Sequence, residues 1–145
     1  MTTIDDMLDR VREFNVLEES GQAIENTRED MKRIQREQML QGLNADGVPI
    51  GRYKSDKYAA MKAAMNPLPG FGNVDLKLTG SFQDELFVDV RGEEYIIDSA
   101  DSKAGFLIEN YTDKAIGLND ASLDKYAQEH AGPQLIEQAR EKLGL

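Results

Sequence analysis

Side-chain catalysis needs residues that move a proton, attack an electrophile or hold a metal, and this chain has few of them. It has no cysteine, which removes thiolate nucleophiles, thiolate zinc sites and disulfides together. Its one histidine, His130, has no second histidine for a metal pair, and no serine elbow stands anywhere in the chain as its nucleophile. His130 lies beside Gly132-Pro133 near an expected helix end, where a cation complements the helix dipole, so a capping or surface role is expected. Paired carboxylates, the apparatus of general acid-base chemistry, occur at Asp5-Asp6, Glu18-Glu19 and Glu93-Glu94. Adjacent residues point to different faces and each pair stands in a polar stretch that would not raise a pKa, so these read as solvated surface.

Two oxygen-rich strings invite a hard cation. Asn44-x-Asp46-Gly47, placed in a calcium loop, makes Gly42 the first ligand and Tyr53 the bidentate twelfth, and neither is a carboxylate, so the reading fails on spacing. Asp98-Ser99-Ala100-Asp101-Ser102 gathers oxygens but has the form of a strand-to-helix loop with capping residues. Gly70-Phe71-Gly72 lacks the glycine, lysine and hydroxyl residue that must follow in a phosphate cradle. Five tyrosines and five phenylalanines without a basic groove make no stacking platform for single strands. No catalytic residue, metal site or cofactor is assigned, and the chain is expected not to be an enzyme.

Composition points the same way. A chain of 145 residues is about one domain, able to bury roughly 70% of its unfolded surface without staples. Its net charge of −10, from 27 acidic and 17 basic residues, repels nucleic acid and anionic membranes unless the basic residues segregate. Arg28, Lys32, Arg33 and Arg36 cluster, as do Arg52, Lys54 and Lys57, but each group is interleaved with or flanked by acids and is expected to form ion-paired, solvated faces. The Met-Thr-Thr-Ile-Asp-Asp start lacks a basic region followed by an apolar run, and no stretch approaches the roughly 18 apolar residues of a membrane span. The expectation is a soluble protein made in the cytoplasm.

The elements that position these residues read as α+β. From Thr3 to about Gln41 the chain is charged and free of proline, with Thr3 as N-cap and Asp5 and Asp6 in the first turn. Ile4, Met7, Leu8, Val11 and Phe14 share a face. Ser20-Gly21 is the expected kink or break, with Ser20 as a second cap. Beyond it Ile24, Thr27, Met31, Ile34 and Gln38 form a thin seam with polar members. That seam lies either on the protein's own body or against neighbouring subunits, and it is taken here, over residues 1–42, as a candidate inter-subunit contact.

Residues 43–145 are expected to form the α+β body. Asp46-Gly47 and Pro49 shape a short hairpin-like excursion. Ser55 or Asp56 caps a helix to about Met65 with Tyr58, Met61, Ala64 and Met65 on its buried side, ended by Asn66-Pro67-Leu68-Pro69-Gly70. Leu68 and Phe71 are expected in the core or in an adjacent subunit. Residues 85–91 and 94–99 alternate as a hairpin about Gly92-Glu93. A short helix carries Ala104, Leu107, Ile108 and Tyr111, and 114–118 is a strand candidate. Asn119 or Ser122 starts a C-terminal helical region bearing Leu123, Tyr126 and Ala127, which Gly132-Pro133 breaks or restarts before Leu135, Ile136, Ala139 and Leu143.

The segment Leu76-x-x-Thr79-Gly80-x-Phe82, between a helix carrying Lys62 and a hairpin, and followed by a helix at 106–111 and Ile116-Gly117-Leu118, resembles the tail-completion or virion-morphogenesis family of tailed bacteriophages, the Mu-type and related neck proteins. The resemblance covers roughly the last 90 residues. Phe106-Leu107-Ile108-Glu109-Asn110-Tyr111 and Lys114-Ala115-Ile116-Gly117 depart from the family's usual segments. It implies a structural ring subunit of the head-tail connector or neck, located in the virion and made in the host cytoplasm. Its implied partners are copies of itself and other neck, portal and tail proteins, with DNA passing its lumen without sequence-specific binding and no membrane contact. Leu76, Thr79, Gly80 and Phe82 are then a fold junction. Two other classes stand beside it: an acidic adaptor or inhibitor of a basic partner, and a hydrolase using carboxylates around Asp98.

Overall fold

The computed structural model describes residues 2–77, 81–92, 94–101, 111 and 113–145. It is an α+β fold in which helices from both ends of the chain pack around a two-stranded antiparallel sheet. Helix α1 (Ile4–Glu13) opens on a capping box: the Thr3 hydroxyl accepts from the Asp6 amide at 3.1 Å and the Asp6 carboxylate accepts from the Thr3 amide at 2.9 Å. The helix then breaks at Phe14-Asn15 and not at Ser20-Gly21. Asn15 caps α2 (Val16–Asn26) by accepting from the Leu17 and Glu18 amides, each at 3.1 Å. Ser20 caps nothing, because its hydroxyl donates back to the Val16 carbonyl at 2.6 Å. Gly21 sits inside α2, facing Val90 of the sheet. A second interruption at Thr27 separates α2 from α3 (Arg28–Leu40).

Strand β1 (Leu86–Arg91) pairs with β2 (Glu94–Ser99), from Leu86 opposite Ser99 to Arg91 opposite Glu94, as the alternation predicts. Gly92 turns the chain at φ 59°; Glu93 lies outside the described residues. β1 organises the core along its length. Leu86 joins a cluster with Met39, Ile50, Val74, Leu76, Phe82 and Ala115. Val88 joins a second with Met31, Ile34 and Tyr126, and Val90 meets Gly21. So α2 and α3 follow β1 in reverse, and both clusters join residues from before Gly42 to residues after it. Residues 1–42 and 43–145 are not two separate bodies.

The seam on α3 is core. Met31 and Ile34 are 0% and 2% exposed, Thr27 and Gln38 are buried, and Ile24 packs against the second cluster. This corrects the expectation that Ile24, Thr27, Met31, Ile34 and Gln38 are offered to a neighbouring subunit. The polar members are there because they have internal partners. Thr27 donates to the Ala23 carbonyl at 2.7 Å and meets the Tyr126 hydroxyl at 2.6 Å. Gln38 Nε2 donates to the carbonyls of Asn44 and Gly117, at 3.2 and 2.7 Å, while its Oε1 accepts from the Asn119 amide at 2.9 Å. Gln35 Oε1 accepts from the Gly117 amide at 3.0 Å. The seam is a clamp on the segment from Gly117 to Asn119, which has no sheet or helix of its own to satisfy its backbone.

Elsewhere the chain follows its local chemistry. Asn44 Oδ1 accepts from the Asp46 and Val48 amides, Gly47 turns at φ 78°, and Leu43 bridges Pro49 in the expected excursion. Ser55 caps α4 (Asp56–Met65) by accepting from the Tyr58 amide at 3.2 Å. A short helix α5 (Ser81–Asp84) precedes β1. The strand expected at 114–118 is instead a 3₁₀ turn, Asp113–Ala115, followed by a bend. Asn119 caps α6 (Asp120–Tyr126), which widens into a π turn (Ala127–Ala131) and continues as α7 (Gly132–Leu143). The Gly132 amide donates to the Ala127 carbonyl, so Pro133 restarts the helix at its first turn with no break in direction of the chain. Tyr126 and Gln138 are the buried residues here; Leu123 and Ile136 are exposed, contrary to expectation. Of the helix expected at Ala104, Leu107, Ile108 and Tyr111, the first three lie outside the described residues, and Tyr111 packs on the first cluster.

Candidate functional site

The junction between α4 and β1 is built on a buried ion pair. Lys62 Nζ lies 2.9 Å from Asp75 Oδ1, with the two side chains only 6% and 3% exposed, and Nζ also donates to the Lys77 carbonyl. Asp75 accepts further from the Asn66 amide group at 3.0 Å, the Lys77 amide at 2.9 Å and the Tyr53 hydroxyl at 3.4 Å. Burial pushes the Asp75 carboxyl up, but the Lys62 ammonium, the Lys77 amide and Asn66 outweigh it and hold it below the usual carboxylate range. Burial, then the Asp75 charge, pushes the Tyr53 phenol well up, so it stays neutral. Leu76 follows with φ 57°, a left-handed conformation costly for a side chain of this size, and is buried in the first cluster with Phe82. Thr79 and Gly80 of the same junction lie outside the described residues. The arrangement is structural: the pair and its hydrogen bonds tie α4 to the segment from Asp75 to Lys77.

This pair decides which face of α4 turns inward. Ala59 and Lys62 are its buried residues, not Tyr58, Met61, Ala64 and Met65 as the apolar pattern predicts. A lysine can enter the core here because Asp75 and a carbonyl neutralise and solvate its ammonium. Met61 and Met65, one turn apart, are therefore exposed, and Leu68 at 68% and Phe71 at 56% exposure continue the apolar surface in the loop beyond. Leu68 and Phe71 do not tuck into the core. Arg52, Lys54 and Lys57 border this surface with Asp56 the one acid among them. Lys54 and Lys57 have no ion pair or hydrogen bond among the described residues, unlike Arg28, Lys32 and Arg33 of α3, whose partners are Glu25, Glu29, Asp30 and Glu37.

A second apolar surface lies on α1. Ile4, Met7, Leu8 and Val11 fall on one face as their spacing predicts, but that face is left largely open: Ile4 is 77% exposed, the other three are exposed as well, Phe14 is half-buried, and α1 has no buried residue. Val16 and Leu17, in the first turn of α2, are exposed as well. The helix is tethered at its end, where Arg10 Nη1 donates to the Leu143 carbonyl at 3.4 Å, a cation on the C-terminus of α7. Asp5, Asp6, Asp9 and Glu13 make its rim acidic; Arg12 is engaged by Asp9 at 3.5 Å.

The remaining candidates are engaged by their neighbours. His130 stacks on Tyr126 with ring centroids 6.4 Å apart and lies 3.1 Å from Arg33 and 3.6 Å from Asp30; it is half-buried within the π turn of a helix that continues past it, so the expected helix end is not there. Asp98 accepts from the Ser99 amide at 2.8 Å, and the Ser99 hydroxyl donates to the Phe82 carbonyl at 2.8 Å, so that loop spends its oxygens on backbone. No group of three or more histidine, aspartate or glutamate residues is set to hold a metal among the described residues. A groove of about 410 Å³ runs between α2 and the hairpin tip, lined by Leu17, Gly21, Val90 and the carboxylates Glu18 and Glu25. Glu19 turns inward instead, where Lys142 and Gln138 hold its carboxyl below the usual range. What sequence reading missed is Asp75 and Lys62. The only trace they leave is one charge inside each of two apolar runs, Ala59 to Met65 and Val74 to Leu76.

Searched against family models, curated proteins and solved structures, the chain matches none. Its own surfaces carry the functional argument.

Proposed function

We propose that this protein is a structural subunit of a tailed-bacteriophage virion, a ring-forming member of the head-tail connector, neck or tail-completion assembly, acting by docking and not by catalysis. The observation that carries the reading is the open apolar face of α1: Ile4, Met7, Leu8 and Val11 are all exposed on a capped helix that buries no residue, and such a face is stabilised by a partner that covers it. The virion context rests on the resemblance at Leu76, Thr79, Gly80 and Phe82. A net charge of −10 suits a lumen through which DNA passes without sticking. Copies of itself and other neck, portal and tail proteins are the proposed partners.

One observation favours a second reading. Glu18 and Glu25 line a groove on a strongly acidic chain, as an adaptor or inhibitor of a basic protein would require. Mass measurement under native conditions, together with peptide identification in purified virions, separates the two. Presence in virions and an oligomeric ring are expected. Absence from virions with a monomer at high concentration overturns the proposal, and salt-sensitive capture of a basic protein by that monomer establishes the second reading.

A further inference from the structure

We infer that two copies of this chain join head to tail, the apolar face of α1 on one copy seating on the Met61, Met65 and Leu68 surface of the next; this rests on the assembly reading above. Both surfaces are exposed and otherwise uncovered, and their rims have opposite charge. Asp5, Asp6 and Asp9 border the first, with Asp5 unpaired among the described residues. Lys54, just before α4, and Lys57, in its first turn, flank the second and are equally unpaired, on a chain of net charge −10. Within α4, Lys57 stands one turn before Met61 and two turns before Met65, so cation and apolar residues share a face. An acidic-rimmed helix laid on that face gains apolar burial and complementary charge together.

The two surfaces lie at opposite ends of the molecule. Asn66, at the end of α4, donates to the Leu40 carbonyl at 2.8 Å, at the C-terminal end of α3. α1 is beyond the other end: α2 continues past the N-terminus of α3, Glu19 near its start is bonded to Lys142 of α7, and the next residue of α7, Leu143, holds Arg10. α3 alone, with its 13 residues, separates the ends by about 20 Å. A chain cannot place its own α1 on its own α4. Complementary patches at opposite ends make a heterologous contact, which repeats and closes into a ring where the rotation allows.

Three full-length proteins test the pairing by sedimentation at rising concentration: the native chain, Val11→Glu and Met65→Glu. Both positions are exposed, so melts followed by circular dichroism should coincide with that of the native chain. The native chain is expected to form oligomers that weaken with added salt. Each variant alone is expected to be monomeric, its association weakened by more than about tenfold. An equimolar mixture of the two is expected to form a one-to-one dimer and nothing larger, since one intact α1 face then meets one intact α4 face. A native chain that stays monomeric near a millimolar, a variant that assembles like the native chain, or a mixture that stays monomeric overturns the pairing. Oligomers that persist in both variants overturn it while leaving the virion reading standing, whereas absence from virions strikes that reading and not this contact.

Discussion

Lys62 and Asp75 show how one pair of charges sets the character of a surface several residues away. Each would cost several kcal/mol to bury alone, and each is acceptable only beside the other. Lys62→Met, which leaves the Asp75 carboxylate buried without its cation, is expected to cost about 3–5 kcal/mol in denaturant unfolding even though methionine is the more apolar residue. The acid side follows from the depressed Asp75 carboxyl. Between its folded and unfolded values the unfolded chain binds the extra proton, so stability rises with pH there. The advantage of the native chain over Asp75→Asn is then full above the ordinary carboxylate value of about 4 and shrinks as pH falls below it; a difference that held constant down the acid limb would contradict the pairing. The sequence offers each residue only as an isolated charge in an apolar run, and the partner lies in a different element.

Helix α2 illustrates how far local rules carry at the scale of elements. Its start is legible in hindsight from Asn15, which has the side chain for a cap, yet Ser20-Gly21 is the louder interruption and draws the break to the wrong place. Serine has a second option, bonding back to the carbonyl of Val16, and Gly21 has a reason to stay helical because α2 lies on the sheet at that point. A Cβ at Gly21 would meet Val90 Cγ1 at 3.5 Å, ordinary contact, and the backbone there needs no glycine. Gly21→Ala is therefore expected to raise stability by up to about 1 kcal/mol, read as a higher denaturant midpoint with an unchanged slope. The seam of α3 carries the opposite lesson. Its spacing and its polar members match those of helix-on-helix association, but Gln35 and Gln38 serve the backbone of a segment reached 79 residues further on. A pattern records that a side is buried, not what buries it.

At the scale of the whole molecule the chain divides at Phe14-Asn15, not near Gly42. α2, α3, α5, the sheet and α6 share two clusters strung along β1, while α1 contributes no buried residue. Deleting residues 2–14 is expected to leave the thermal midpoint within a few degrees of the native value and to abolish association, because the deletion removes a docking face and no core. Deleting residues 2–41 removes Met31, Ile34 and Met39 together and is expected to leave a chain without a cooperative melt or near-ultraviolet circular dichroism. If the longer deletion folds cooperatively, the two clusters are not the unit described here. The acidic balance of the chain acts at this scale too: with 27 acids against 17 bases, a contact between copies needs the local cations of α4 to offset general repulsion.

The sequence by itself determined what depends on neighbours three or four residues apart: the Thr3 capping box, the Ser55 and Asn119 caps, the turn at Gly47, the hairpin alternation of β1 and β2, and the lack of any sulfur chemistry. These interactions close within a turn of chain, so residue types and spacing suffice. Only the tertiary structure decided which apolar stripes are core and which are surface. Burial is settled by partners far along the chain, and here they reversed the reading twice. Gln38 found the Gly117-to-Asn119 segment and drew the polar seam inside. Lys62 found Asp75 and turned the methionines of α4 outward, where the apolar pattern alone places them inside.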